Sequence, residues 1–536
     1  MKRAPRPRQR CALAVLASAL VLSGCATPGD DTSSGGPGGR STYEFGRVGP
    51  QGNPGKPVRG GSLTFADYTE TRSLDPTKTI ANGASGGTVL AAVYDVLMRW
   101  DEKSAAYEPW LAKDLTSNKD HTVWTLKLRD GVRFSDGTTL DAKAVTGSMR
   151  YFITHRGSDA SLLSANIEKM TAEDDSTVVF RLRRPWASFP TMLAQGPGMI
   201  VAPAAVRGKE FKPIGAGPFT LRKYAPQEEM TLSARRDYWD GAPYLRTLRF
   251  IWPSDDEARL DALESGSADA SYLRTPKTVD KALRTDLRGS LTQLGLGNVL
   301  LINNRKGRPG EDVRVRRALA YATDPVADYD RAYSGAGMPG LGLFQKTSRW
   351  HTGVPPRGDN PAKARKLLAA AKKDGYDGRI TYMDGTDPLS RAEAITTKAL
   401  LERAGFTVEL DLVRSVADQT KKAYVDHDFD LSRNASSVSE ADPFPRLHSM
   451  LVTGSELNAM GYSDATTDKL LRRLQGAASD GARKALLKKI EERWHTTVPA
   501  VAVGAGATFV PWNENVRGVS PSSEEIMLLG NAWKTK

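Results

Sequence analysis

Cysteine is almost missing from this chain of 536 residues: Cys11 and Cys25 are the only two. Neither stands in a CxxC or metal-like spacing, which excludes a disulfide framework and a thiolate metal site. Histidine is scarce as well. His121, His155, His351, His427, His448 and His495 are scattered through polar contexts, and no HExxH, Walker A or EF-hand spacing occurs. No metal and no cofactor is therefore expected. Aromatic residues make up 7% of the chain, and no basic stripe is interleaved with them. Nucleic acid is not expected as a partner, despite a formal charge of +13, because stacking platforms would be needed beside the charge. Long apolar runs are also missing. None approaches the 18 residues that a membrane-crossing helix needs, so the body of the protein is expected outside the membrane.

The first stretch of the chain reads as an address. Lys2, Arg3, Arg6, Arg8 and Arg10 form a basic region, residues 11–22 a short apolar one, and Leu22-Ser23-Gly24-Cys25 follows. The last four resemble a bacterial lipobox, which implies that residues 1–24 are a signal peptide and that Cys25 is lipidated. Two acyl chains hold a protein at a membrane where one is marginal. Residues 26–58, rich in Gly, Pro, Ser and Thr, read as a tether, since such a stretch buries too little apolar surface to order itself.

Order is expected from Gly60. Residues 63–66 alternate like a strand, with Tyr68, Thr69 and Glu70 at its end. Residues 88–99 read as a helix. Residues 123–128 alternate as a strand, Asp130-Gly131 turns, and residues 132–134 are expected to return as a hairpin. Asp141 is placed to cap a helix running through Phe152. The apolar run 299–302 ends at Asn303 and Asn304. After a Gly- and Pro-bearing loop, Val315, Ala318, Leu319 and Ala322 share one helix face. We read this stretch, residues 298–324, as the crossing between two lobes. From 362 to 413 the order is helix, strand, helix, strand, with Gly405 at a helix C-cap, which implies a parallel pair. A helix over 416–424 and a strand over 429–431 extend it. Ligands in such open sheets lie beyond the carboxyl ends of the strands.

Several blocks carry a family likeness. LKLRDGVRFSDG (126–137) resembles a signature of the peptide/nickel-type solute-binding proteins of ABC importers. GAGPFTLRKY (215–224), RRDYWDGAPYLRTLRF (235–250), ARLDALESGSADASYL (258–273), LLINNRKGRPGEDVRVRRALAYATD (300–324), NAMGYSDATTDKLL (458–471) and VPAVAVGAGATFVPWNENVRG (498–518) resemble later blocks of that family in the same order. The resemblance implies a two-lobed α/β clamshell of the large, periplasmic-binding-protein type with an inserted subdomain. Lobe I would take residues 59–75, 200–290 and 500–536, the insert 76–199, and lobe II 291–499. It implies no enzyme, a monomer, and an importer permease as partner. The solute would be an oligopeptide, with an oligosaccharide or other non-peptide solute as the alternative.

In the family the loop at 432–445 carries an aromatic, an acid that takes a peptide's amino group, and Asp-Pro. This chain keeps Asp442-Pro443, but Ser436 and Ser439 stand where the aromatic and the acid belong, with Glu440 one place away. Candidate ligand contacts are therefore Tyr68, Thr69, Glu70, Asn303, Asn304, Asn434, Ser436, Ser439, Glu440 and Asp442. Three other motifs compete. GASGG (83–87) matches the GxSxG elbow of hydrolases around Ser85, although TKTIAN before it is a weak strand and no histidine is marked as its partner. GAGMPG (335–340) matches GxGxxG but follows a helix and precedes a turn. Tyr238-Trp239 could stack on a sugar, but core packing beside an Asp240-Gly241 turn is the stronger reading.

Overall fold

Two long antiparallel strands, Arg288–Ile302 and Ala500–Trp512, run through the middle of the main sheet. They pair from Arg288 opposite Trp512 to Leu301 opposite Ala500. The computed structural model describes residues 43–50 and 55–535. On one flank of the central pair lie Ala270–Ser271, Ser62–Ala66, Thr247–Ile251, Glu229–Ala234 and Phe219–Ala225; on the other lie Leu431–Asn434, Arg379–Gly385 and Thr407–Val413. Each flank has its own apolar core. Phe65, Phe250, Leu248 and Trp512 pack on the first, and Ile302, Val315, Leu319 and Tyr382 on the second. The parallel pair expected from the helix–strand alternation is present: Ile380 faces Val408 and Leu412 faces Asp384.

The register of the central pair breaks between Leu294 and Asn298. Leu296 has φ of +51° there, between two glycines. A methyl group built on Gly297 would meet the backbone nitrogen of Gly506 at 2.1 Å. Close backbone approach is thus what the glycine is for. The strand that carries the apolar run 299–302 starts well upstream of it, at Arg288.

The insert contains a separate four-stranded antiparallel sheet in the order Ala112–Ser117, Val123–Leu128, Thr177–Leu182 and Ile167–Ala172. Asp141 caps the helix Ala142–Thr154, its carboxylate accepting from Ala144 N at 2.7 Å. The expected hairpin return over 132–134 does not form. Residues 123–128 pair with 112–117 and 177–182 instead, and Arg133 makes only an isolated bridge to Thr139. Each edge of 123–128 is filled by a longer partner, which leaves no pairing edge for a three-residue return.

Three further expectations change. The tether reading fails for residues 43–48: Gly46–Val48 pairs with residues 289–291, and Tyr43 and Phe45 pack beside Leu260, Leu273 and Val279. Two aromatics in a polar stretch suffice to hold it down. The helix expected over 416–424 is α-helical only from Val416 to Thr420 and continues as a π-helix over Lys421–Asp426. The core helix expected over 88–99 runs from Gly87 to Tyr94 and stops at Asp95, whose φ is +62°. Cys25 and the signal segment lie outside the described residues.

Gly297→Ala is expected to destabilise the protein by roughly 1–3 kcal/mol, the usual cost of overpacking. The measurement is the urea midpoint at constant m-value. An unchanged midpoint would show that the two strands separate freely at this point.

Candidate functional site

The insert, the second flank of the sheet and the C-terminal segment meet around one cavity of about 290 Å³. Residues 77–82, 156–159 and Gln195-Gly196 wall it from the insert. Asp442, Pro445, Arg446 and Ser449 wall it from the helix Phe444–Leu451 and the residues before it. Glu524 closes it from the C-terminal segment. Lys78, Arg156 and Arg446 face Asp159, Asp442 and Glu524, so charge of both signs lines one enclosure.

Asp442 is buried and fully engaged. It accepts from Thr191 Oγ1 at 3.0 Å and from Phe444 N at 3.1 Å, and it is ion-paired with Arg483. The Thr191 bond ties the insert to the second flank. Gln475 Nε2 to Asn166 Oδ1 at 2.8 Å and the edge-on rings of Trp186 and Phe444 do the same.

A second cavity, of about 240 Å³, lies beside the first and shares Glu524 with it. Trp100, Gln293, Arg349, Ser439 and Glu440 are among its walls. Glu440 accepts from Arg349 N at 3.1 Å, and its backbone oxygen accepts from Trp350 Nε1. Burial raises the Glu440 carboxyl above its ordinary value. A third, about 340 Å³, is floored by Arg433. That guanidinium is buried among Asp328, Glu393 and Asn298, at 2.9–3.1 Å, and donates to Tyr382 Oη and Thr397 Oγ1 as well. It holds the strand Leu431–Asn434 to the helices Pro325–Tyr333 and Pro388–Arg403.

The candidates drawn from the sequence divide among these places. Tyr68 and Asn434 face the third cavity from opposite flanks. Ser439 and Glu440 line the second, and Asp442 the first. Ser436 is buried and its N–H donates to Leu296 O at 2.9 Å. Thr69 is spent on Ala84 O, and Glu70 on Tyr224 Oη at 2.6 Å and Gln227 N at 2.9 Å. Asn303 and Asn304 are structural. Asn303 Nδ2 donates to His427 O and Phe429 O, and Asn304 Nδ2 to Ile302 O and Pro499 O. These bonds spend the amide hydrogens of both asparagines; Asn303 Oδ1 also accepts from Arg305 N at 3.2 Å, whereas Asn304 Oδ1 is buried without a partner.

Glu524 and Gln293, which also line the second cavity, are not among the candidates read from the sequence. The only sequence signal for Glu524 is an acid pair, Glu524-Glu525, in a short Ser-rich stretch. Both residues have φ of +56°, a conformation costly without a glycine and common where a side chain is aimed for use. Gly83 explains the GASGG motif: its added methyl would strike Glu525 O at 2.5 Å, so the glycine lets this turn pack close. Ser85 follows a loop rather than a strand and lies in the 3-10 helix Gly83–Ser85. GAGMPG ends in the short strand Met338–Pro339, paired with residues 504–505. Tyr238 is a core anchor, its hydroxyl donating to Asp95 at 2.6 Å, and Trp239 donates to the same carboxylate. Among the described residues no group of three or more His, Cys, Asp or Glu could hold a metal ion.

The profile of the bacterial extracellular solute-binding proteins, family 5, matches residues 106–457, and the chain belongs to that family. It is thus an extracytoplasmic solute-binding protein of the kind that serves ABC importers. The glutathione-binding protein GsiB of Escherichia coli is 28% identical over 355 residues, 63% of this chain and 67% of that protein. The nickel-binding periplasmic protein of the same species is 26% identical over 433 residues, 75% and 82% of the two chains. The periplasmic binding protein DppA of Helicobacter pylori, solved with the peptide STSA, superposes with a TM-score of 0.75 at 22% identity, covering 89% of this chain and 99% of that one. The expected large clamshell-type α/β fold is thereby established.

Asp67, buried at the end of strand Ser62–Ala66, gives a pH-dependent handle on this region. Burial pushes its carboxyl from 3.8 to about 7; one oxygen accepts from Tyr68 N, and the other has no partner. A raised carboxyl keeps its proton in the folded state after the unfolded chain has lost it. Its contribution to stability is full below 3.8 and lost as the pH rises through about 7. Asp67→Asn is expected to flatten the fall in Tm between those values. A slope equal to that of the unaltered protein would assign the effect to other groups, such as Asp95, raised to about 6.

Proposed function

We propose that the protein captures a short peptide in the cavities between its two lobes and delivers it to an ABC importer. The lobes have the bounds given above, and the chain is anchored to the membrane through lipidated Cys25. One observation carries the reading. Three stretches far apart in sequence build the first cavity, and they line it with three bases and three acids. A solute with charged groups of both signs, joined by a neutral amide backbone, matches such a lining. Glutathione, named for one relative, is a tripeptide, and the solved relative holds a tetrapeptide. Extended peptides also suit the lobe contacts, because main-chain hydrogen bonds supply affinity while pockets tolerate varied side chains.

Closure is the mechanism. A solute touching both walls binds the closed form better than the open one and shifts the population towards it. The bonds from Thr191 to Asp442 and from Gln475 to Asn166 are those that closing would make. No covalent step is needed.

Native mass spectrometry of the purified protein is expected to release bound peptide. Added peptide at 100 times Kd is expected to stabilise folding by about 2.7 kcal/mol, visible as a raised Tm. Stabilisation by an oligosaccharide pool and none by peptides would overturn the peptide reading. Fatty-acid labelling is expected to fail in Cys25→Ser, and retained label would overturn the anchor.

A further inference from the structure

Residues 43–48 lie ahead of the stretch 106–457 that the family profile matches, yet they enter the main sheet. Gly46–Val48 pairs antiparallel with residues 289–291 of the strand Arg288–Ile302, on the edge away from Ala500–Trp512. Further along the same edge, Leu294 and Gly295 pair with Ser439 and Val438. This short strap and the loop after strand Leu431–Asn434 therefore share one edge, with Thr292 and Gln293 between them.

The strap is undercut. Phe45 and Gly46 wall the second cavity, and Gly46 and Arg47 wall a fourth, of about 310 Å³. Gly46 has no side chain to fill either. The hold comes from the first flank. Tyr43 is buried and its hydroxyl donates to Asp280 at 2.5 Å. Arg47 donates to Val519 O at 3.1 Å and lies over the Trp512 ring. Charge adds little to this hold. Burial lowers the Arg47 guanidinium and raises the Glu102 carboxyl, each against the pull of the other, so both regain water when the strap lifts. The described residues that follow, 55–61, are exposed or half-buried, so lifting unpacks no core behind it. Elements with so few buried contacts open locally, well before the rest of a fold.

We infer that residues 43–48 are a gate on the second cavity. Down, the strap covers the strand edge at 289–291 and closes one wall. Lifted, it opens that wall and bares a strand edge to which an extended chain can pair. The passage of solute rests on the peptide reading above; the lifting of the strap does not.

The probe is a thiol at Ser290→Cys, a position with no exposure opposite Arg47, in the full chain with Cys11→Ser and Cys25→Ser. Its rate of reaction with an aromatic disulfide reagent reads the lifting. Tyr43→Ala removes the buried ring and the bond to Asp280, and is expected to raise that rate about tenfold or more. Tyr43→Phe, which keeps the ring, is expected to fall between. The reference is Ala364→Cys, buried on the helix Pro361–Lys373 in the core of the second flank, whose rate is expected not to change. Stopped-flow mixing with a tripeptide pool is expected to show association and dissociation both faster in Tyr43→Ala. An unchanged rate at Ser290→Cys, or an equal rise at Ala364→Cys, would overturn the gate. So would tripeptide association that stays as slow as before while labelling speeds up. No binding of the pool by the unaltered protein would overturn the peptide reading and leave the labelling rates to decide the gate.

Discussion

The pairing of strand Arg288–Ile302 with strand Ala500–Trp512 is the constraint on which the other parts depend. Each strand continues into both flanks of the sheet, so each flank's core is hung on the same two backbones. The pairing is unbroken at its ends and irregular at its middle, where Gly297 allows close backbone contact with Gly506 and Leu296, between two glycines, turns its side chain into the core. A sheet interrupted at one place can keep its two flanks intact while allowing them to turn relative to one another. The third cavity lies against this irregular point, lined by Gly297, Asn298 and Gly506.

Charge is arranged around the crossing in two different ways. Where rigidity is wanted the groups are matched. Arg433 meets Asp328 and Glu393 with Asn298 and Thr397 completing its bonds, and a buried ion pair is tolerable only when so completed. Elsewhere matching stops: Gln293 and one oxygen of Glu525 are buried without partners. Buried polar groups of the first kind fix one packing; those of the second kind stay in place at a cost.

Much of the fold was legible in the chain. Val315, Ala318, Leu319 and Ala322 are all buried, as their spacing requires, because a helix places i, i+3, i+4 and i+7 on one side. Asp141 caps its helix, and Gly405 has φ of +96° beyond the helix Pro388–Arg403, both effects of neighbouring backbone atoms. The errors have a common origin. Residues 132–134 look like a return strand until partners from 112–117 and 177–182 occupy their edge. Residues 43–48 look like tether until the strand from 288 offers them a place. Each depends on pairing over long separations, which local pattern does not report.

The sequence by itself determined the family, the order of elements and the apolar faces, because these follow from local spacing and from blocks of residues in a recognisable order. The resemblance further implied that Ser439 stands where the family carries an acid. Only the tertiary structure decided which candidates are spent elsewhere. Asn303 and Asn304 turned out to be bonded to backbone carbonyls, whereas Glu524 and Gln293, unremarkable in the chain, came to border one cavity. A side chain's use depends on which polar atoms remain unsatisfied around it after folding, and that is set by contacts between residues hundreds of positions apart.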